Sequence, residues 1–371
     1  MKTRLAVFFG GRSAEADVSI LTAMQVFGAI DYDKYDVVPV YMDGAWWTGN
    51  DLLDVGAFRP FESRHHTEVA LVGDRLVRVK GKRTKEIGKI DCALICCHGG
   101  EGEDGSLQGL LEVHGVPYTS SAVEGSAICM NKMRLKDVAF ARKIKCERGV
   151  AVRRDEFVED RVNVLSKIVK RQGFPVIVKP VSLGSSIGVE RAKNREELED
   201  ALAFCFALSD EALVEREVVK KTELNCAAVS YDGEVFVSAV ERPKQVDGVL
   251  TYDDKYVLGD KTDCAREVPA SIPSELAERV RETTLKLYAE LSLSGVVRVD
   301  YILDEEKGVL LVNEVNTVPG SLAFYLFEPC GISFGTLIDM LVDEAKDKMK
   351  RERRDFSEFR NGRILTGQVY K

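Results

Sequence analysis

The residues best suited to chemistry lie between positions 298 and 320. Two alternating stretches, 296–303 and 309–316, place Arg298 and Asp300 on one face of the first and Glu314 and Asn316 on one face of the second, because side chains two apart along a strand point the same way. If the two stretches pair, Asp300, Glu314 and Asn316 bring three hard oxygen ligands together beside one guanidinium. Such a set suits a divalent cation, since Mg²⁺ is typically held by one or two carboxylates plus substrate phosphates, with water completing its shell. A solvated hairpin face is the alternative for a lone acid pair. Here the polar residues interrupt apolar runs, and Asn-Thr-Val-Pro-Gly breaks the chain directly afterwards, so a metal–phosphate site is the preferred reading.

Other candidates follow apolar strands. The run 4–9 ends in Gly10-Gly11, and Ser13 is expected to cap a helix whose face carries Val18, Leu21, Thr22, Met24, Val26 and Phe27. Glu15 then lies in the crevice beyond a strand's carboxyl end, where open α/β sheets bind ligands. The run 90–97 ends in His98-Gly99-Gly100-Glu101-Gly102-Glu103-Asp104-Gly105, a second crevice loop. The strand 174–180 delivers Lys179 into the small-residue loop 181–189, whose backbone N–H groups could form an anion nest over phosphates. Lys132 falls in an expected helix over 126–145; taken alone, such a lysine is ordinarily solvated surface.

These positions need several units to hold them. The 371 residues, 45% hydrophobic and 30% charged, have an ordinary globular composition and suffice for two or three domains. The pattern changes from βαβ to smaller α+β pieces near 130–150. Residues 44–88 read as loops and a small hairpin. Asn194, with Glu197 three residues on, caps a helix through 208 that buries Leu198, Ala201, Leu202 and Cys205. Strands at 213–218, 223–230 and 234–240 suggest an antiparallel sheet. The polar stretch 245–262, with Tyr252, Lys255 and Tyr256, reads as a mobile lid. Leu276, Val280, Leu287 and Leu291 share a helix face, and a last helix covers 332–350. A net charge of −8 makes nucleic acid an unfavourable partner without a basic patch. Nine cysteines, mostly in apolar runs, read as reduced thiols in a cytoplasmic protein. No apolar run approaches a membrane span, and the N-terminal apolar run is too short for a signal peptide.

Together these residues resemble the D-alanine–D-alanine ligases of the ATP-grasp superfamily, over roughly residues 4–345. Gly10-Gly11-Arg12-Ser13-Ala14-Glu15 with Asp17-Val18-Ser19 is similar to the family's GGxSxE-x-(E/D)-V-S signature. His98-Gly99 through Gly109 resembles HGxxGEDGxxQG, Met130-Asn131-Lys132 resembles M-D-K, and Val176 to Pro180 with Leu183 to Gly188 resembles VIVKP and LGSSxG. Lys255-Tyr256 parallels the K-Y of the ω-loop, Arg298-Val299-Asp300 parallels R-x-D, and Glu314 through Gly320 parallels E-x-N-T-x-P-G. Seven motifs in family order carry the resemblance.

The resemblance implies an α/β, three-domain ATP-grasp fold: an N-terminal open parallel α/β sheet (1–130), a central small α+β domain (131–222) and a C-terminal α+β domain with an antiparallel sheet (223–350), followed by a charged tail (351–371). It implies ATP-dependent ligation of two D-alanines through an acyl phosphate, for peptidoglycan precursor, in a cytoplasmic homodimer. ATP would be held by Lys132, Lys179, Ser185, Ser186, Glu215, Arg216, Glu217, Val218, Glu223 and Lys255. Two Mg²⁺ ions, or Mn²⁺, would sit on Asp300, Glu314 and Asn316. Glu15 would pair with the first D-alanine's ammonium, with His98 near its carboxylate. Arg298 and the Gly320 N–H would stabilise the oxyanion, Ser185 and Tyr256 would close the ω-loop with Glu15, and Ser321, Tyr325 and Leu326 would line the acceptor pocket. Tyr325 falls where the family usually has a serine that binds the acceptor's carboxylate, so D-serine, D-lactate or another acceptor is the alternative to D-alanine. A nucleotide-binding regulator without catalysis conflicts with the intact ligand set, and an ATP-grasp carboxylase-type enzyme conflicts with the Glu15 and His98 motifs.

Overall fold

A computed structural model describes residues 2–243 and 266–357, with side-chain surroundings through Arg351. The expected lid at 245–262, with Tyr252, Lys255 and Tyr256, lies outside the described residues, as do residues 358–371 of the expected tail 351–371; residues 351–357 are not tail but continue the last helix. The N-terminal region contains β1 (Thr3–Gly10), α1 (Ala16–Ala29), β2 (Tyr35–Asp43), β3 (Ala45–Thr48), β4 (Thr67–Val72), β5 (Arg75–Lys80), β6 (Arg83–Lys89), β7 (Cys92–Ile95), α2 (Ser106–His114) and α3 (Val123–Met130). Its sheet has the order β6-β5-β4-β3-β2-β1-β7. β1 is parallel to β2 and β7 and buried from Leu5 onward, as expected of an apolar strand covered on both faces.

The expectation of a parallel sheet is corrected beyond that centre. Residues 44–88 supply four antiparallel strands, β3 to β6. Tight turns such as Gly73 and Gly81, both at positive φ, permit only antiparallel neighbours. β6 is almost wholly exposed, which removes the apolar run that would mark it as a strand. The single helix expected over 126–145 is also corrected. It is broken at Asn131, whose extended backbone and side chain cap α4 (Lys132–Ala141) by accepting the Arg134 N–H at 3.0 Å. In α1, Leu21 is 41% exposed, whereas Val18, Ser19, Ile20, Thr22, Ala23, Val26 and Phe27 are buried.

The central region contains β8 (Val150–Arg153), α5 (Arg154–Glu159), α6 (Arg161–Gln172), β9 (Val176–Pro180), β10 (Glu190–Ala192), α7 (Arg195–Leu208) and β11 (Glu211–Arg216). Its antiparallel sheet runs β10-β9-β11-β8. Asn194 caps α7 as expected, accepting the Glu197 N–H at 3.0 Å. The C-terminal region contains β12 (Lys221–Tyr231), β13 (Glu234–Pro243), β14 (Arg266–Glu267), α8 (Ser274–Glu290), β15 (Val296–Asp304), β16 (Val309–Asn316), α9 (Phe324–Phe327) and α10 (Phe334–Ser357). Its antiparallel sheet runs β14-β13-β12-β15-β16.

Three apolar cores result, and they do not follow chain order strictly. Leu135 and Ala139 of α4 pack in the C-terminal core with Val280, Leu287 and Tyr301. Leu337, Ile338 and Leu341 of α10 pack in the N-terminal core with Phe8 and Val26. The central core holds Val150 through Val214. Cys92, Cys96, Cys97, Cys129, Cys205 and Cys226 are buried free thiols, and Cys330 is exposed. No single described helix is long and apolar enough to cross a membrane.

Candidate active site

The β15–β16 pair places Arg298 opposite Asn316 and Asp300 opposite Glu314, then shifts register so that Tyr301 faces Val312. The extra residue is Asn313, a β-bulge of the kind that re-aims side chains at sites. Arg298 donates to Asp300 through Nε (2.6 Å) and Nη2 (2.8 Å), and Asn316 Nδ2 donates to Asp300 Oδ2 at 3.1 Å. The polar row continues across the sheet, because Asn225 pairs with both Asp300 and Glu241. Asp300, Glu314 and Asn316 are therefore neighbours, as the alternation predicts. Among the described residues no group of three or more His, Cys, Asp or Glu is placed to hold a metal. Two carboxylates and an amide fit a hard cation whose remaining positions are taken by phosphate oxygens and water.

Lys132 opens α4 and is only 7% exposed, unlike an ordinary surface lysine. Its Nζ donates to the Leu183 carbonyl at 2.5 Å and lies 3.8 Å from Glu314. Burial lowers its pKa, and Glu314 opposes that shift. Lys179 is likewise buried and donates to Asn313 Oδ1 at 3.2 Å. It also pairs with Glu215 at 2.6 Å, and Lys136 pairs with the same carboxylate at 2.6 Å. Burial alone would raise the Glu215 pKa, but Lys179 and Lys136 hold it below the ordinary value. The Glu215 side chain therefore orients lysines. Farther along, Arg216 Nε donates to the Gln172 carbonyl at 3.1 Å, the Glu217 carboxylate pairs with Arg191 at 2.7 Å, and the Glu217 N–H donates to Pro175 at 3.0 Å. Val218 is half-buried just past β11, and Glu223 on β12 accepts from Lys221 at 2.7 Å.

Glu15, not Ser13, is the residue preceding α1. Ser13 instead donates its hydroxyl to the His98 carbonyl at 2.5 Å and accepts the Glu15 N–H at 3.1 Å. The Glu15 carboxylate accepts from the Ser185 hydroxyl. It fits between two glycines: a Cβ on Gly184 would lie 2.6 Å from Glu15, and one on Gly99, already at φ +64°, would lie 2.7 Å away. Ser185 and Ser186 adopt left-handed φ of 50° and 60°, a backbone suited to an anion nest. Their partner from the resemblance, Tyr256, lies outside the described residues, as does Lys255.

His98 is held on both ring nitrogens by the protein itself. It is buried, with Nδ1 2.7 Å from the Val318 carbonyl and Nε2 2.8 Å from the Thr22 hydroxyl. A carbonyl only accepts, so Nδ1 carries the proton and Nε2 accepts from Thr22. Burial pushes the imidazole pKa down to about 4, against the opposing Val318 bond and together with Arg298. Glu103, absent from the candidates, accepts the Gly99 N–H at 3.0 Å and the Val318 N–H at 3.1 Å. Burial, then Glu15, raises its pKa to about 7.

After β16, Gly320 leads into Ser321, Leu322 and Ala323, all at left-handed φ of 56°, 48° and 48°. Each non-glycine residue held there costs roughly 1–2 kcal/mol. The Ser321 N–H donates to Thr22 Oγ1 at 3.0 Å. Tyr325 directs its hydroxyl to Glu241 Oε2 at 3.2 Å, and Arg266 lies over its ring at 4.2 Å. Burial and Glu241 raise the Tyr325 pKa. Leu326 is fully buried in the N-terminal core. One pocket collects Glu15, Glu103, Lys132, Gly184, Glu314 and Asn316 from all three regions.

The family model described as D-ala D-ala ligase N-terminus matches residues 4–121, and that described as D-ala D-ala ligase C-terminus matches 142–343. The chain is 33% identical over 362 residues to the D-alanine--D-alanine ligase of Chlorobium limicola, covering 94% of this chain and 98% of that one. It is 31% identical over 353 residues to that of Thermosipho melanesiensis, covering 93% and 94%. Among solved structures it resembles the D-alanine-D-alanine ligase of Helicobacter pylori (TM-score 0.76, 27% identity, covering 92% of this chain and 98% of that one). It also resembles the VanG D-Ala:D-Ser ligase of Enterococcus faecalis (TM-score 0.79, 27% identity, covering 93% and 100%). With both family models matched in order and relatives above 30% identity over nearly the whole chain, the chain belongs to the D-alanine–D-alanine ligase family.

Proposed function

We propose that the chain joins two D-alanines into D-alanyl-D-alanine with ATP, supplying peptidoglycan precursor. The supporting observation is the meeting of Glu314 and Asn316, the buried Lys132 and the glycine-flanked Glu15 at one pocket, with Asp300 paired to Glu314 across the strands and bonded to Asn316. Asp300, Glu314 and Asn316 would hold Mg²⁺, two ions in the full site and with Mn²⁺ as a substitute; the metal would supply positive charge to the phosphate oxygens. Lys132 and Lys179 neutralise the same phosphates, and the strip from Glu215 to Val218 with Glu223 lines the nucleoside side.

Glu15 pairs with the first D-alanine's ammonium. That substrate's carboxylate attacks the γ-phosphorus, forming an acyl phosphate as ADP leaves. The second D-alanine's neutral amine attacks the acyl carbon, and inorganic phosphate departs from the tetrahedral intermediate. Arg298 and the Gly320 N–H would stabilise its oxyanion. Tyr325 supports this pocket through its bond to Glu241, while Ser321 and nearby backbone meet the acceptor. Assembly as a cytoplasmic homodimer, and division near residues 130 and 222, complete the reading by resemblance. Phosphate release with ATP, Mg²⁺ and a panel of D-alanine, D-serine and D-lactate tests it: D-alanine alone should release phosphate and yield dipeptide. A preference for D-serine or D-lactate as acceptor would overturn the substrate assignment.

A further inference from the structure

The turn after β16 is held by side chains from the other end of the chain. Thr22, 1% exposed on α1, accepts the Ser321 N–H at 3.0 Å and donates to His98 Nε2 at 2.8 Å. His98 donates from Nδ1 to the Val318 carbonyl at 2.7 Å, and Glu103 accepts the Val318 N–H at 3.1 Å. Both polar groups of the Val318 residue and the Ser321 N–H are thus engaged by three side chains from the N-terminal region. Between these anchors lies Gly320, and the second anchor, Ser321, begins three consecutive non-glycine residues at left-handed φ. Such a backbone persists only where its surroundings over-determine it.

We propose that Thr22, directly through the Ser321 N–H and also through His98, is a positioning residue that holds the left-handed turn 321–323 in the geometry needed for attack of the acceptor amine. This rests on the reading of the pocket as a peptide-bond-forming site. Thr22 touches no substrate; it fixes the donors that do. A loosened turn would still allow phosphoryl transfer, because Lys132, Lys179 and the β15–β16 acids are positioned by other contacts. The acyl phosphate would then form but meet a badly placed acceptor, and water would cleave it to D-alanine and inorganic phosphate.

Thr22→Val keeps the shape and removes both hydrogen bonds, so the ratio of phosphate released to dipeptide formed is the diagnostic measurement. The ratio is expected near one for the unmodified protein and to rise several-fold in Thr22→Val. Dipeptide kcat/KM should fall roughly ten- to hundred-fold, the scale of sub-ångström misplacement, with ATP affinity unchanged. Thr22→Ser should restore the ratio. Amide hydrogen exchange should show Ser321 losing protection in Thr22→Val, a readout independent of turnover. His98→Gln, which alters the relay from the other side, should raise the ratio as well and serves if Thr22→Val does not fold. An unchanged ratio with unchanged Ser321 protection overturns the positioning role, as does a proportional loss of ATP affinity and turnover. Absence of dipeptide from the unmodified protein would overturn the ligase reading instead, leaving Ser321 exchange to decide the clamp.

Discussion

Asp300 accepts from Arg298 and Asn316, so its position is set by the protein's own contacts. Glu314 lies opposite Asp300 and 3.8 Å from Lys132. Glu314→Gln keeps size and removes the charge; phosphate release should drop at least a hundredfold with the fold intact by circular dichroism, and added Mg²⁺ should recover little. His98 and Glu103 give a second test at this scale. The imidazole falls from 6.5 to about 4 on folding, so the native state binds fewer protons than the unfolded chain between those values. Its neutrality adds stability that is present above pH 6.5 and lost as pH falls toward 4. The Glu103 carboxyl rises from 4.5 to about 7, so its contribution is present below 4.5 and lost as pH rises toward 7. Each shift corresponds to about 3 kcal/mol, and the two nearly cancel across the window they share. Urea unfolding from pH 4.5 to 7 should therefore be flatter for the unmodified protein than for either variant. His98→Gln should lose stability as pH rises, and Glu103→Gln should gain it. Parallel profiles for the two variants would refute the assignment.

At the scale of elements, the break between α3 and α4 sets Lys132 at a helix start. Asn131→Ala removes the cap, costing about 1 kcal/mol, and should raise the KM for ATP several-fold as Lys132 loses its fixed origin. Gly184→Ala should act differently: its Cβ would press on the Glu15 carboxylate, so the KM for D-alanine should rise while urea stability changes little. Capping chemistry was partly legible in the sequence. Asn194 with Glu197 marked α7 correctly, whereas Asn131 sat inside an apparently continuous helical stretch and its capping bond needed the backbone to bend. Strand alternation placed Asp300, Glu314 and Asn316 together, because a two-residue period survives in the residue order. Asn313 was missed because a bulge is a register shift between two strands and leaves no mark on either one. Glu103 and Thr22 were missed as functional residues because their partners, Val318 and Ser321, are about 200 and 300 residues away. The β3–β6 extension was obscured by its polar, exposed faces.

Across the whole molecule, the site exists because ionic and hydrogen-bond contacts join three separately packed cores. Glu215 of the central sheet is one of these links, since it pairs with Lys179 beside it and with Lys136 from α4, a helix packed in the C-terminal core. Lys179 in turn reaches Asn313 on β16. Both lysines and the carboxylate are buried, so the cluster gains little over an apolar replacement but loses heavily when one member is removed. Glu215→Gln should leave two buried cations without their counter-charge and destabilise the protein by about 3–5 kcal/mol. Adding Lys136→Met removes one of those cations and should recover part of the loss, although Lys136→Met alone should destabilise. The sign of this non-additivity separates a coupled charge cluster from simple packing. Nucleotide should act in the same direction as the second substitution, because its phosphates can compensate Lys179. MgATP should therefore raise the melting temperature of Glu215→Gln by more than it raises that of the unmodified protein. Equal shifts in the two proteins would mean that Lys179 is not exposed to the phosphates, and that the central and C-terminal cores are joined without the nucleotide's help.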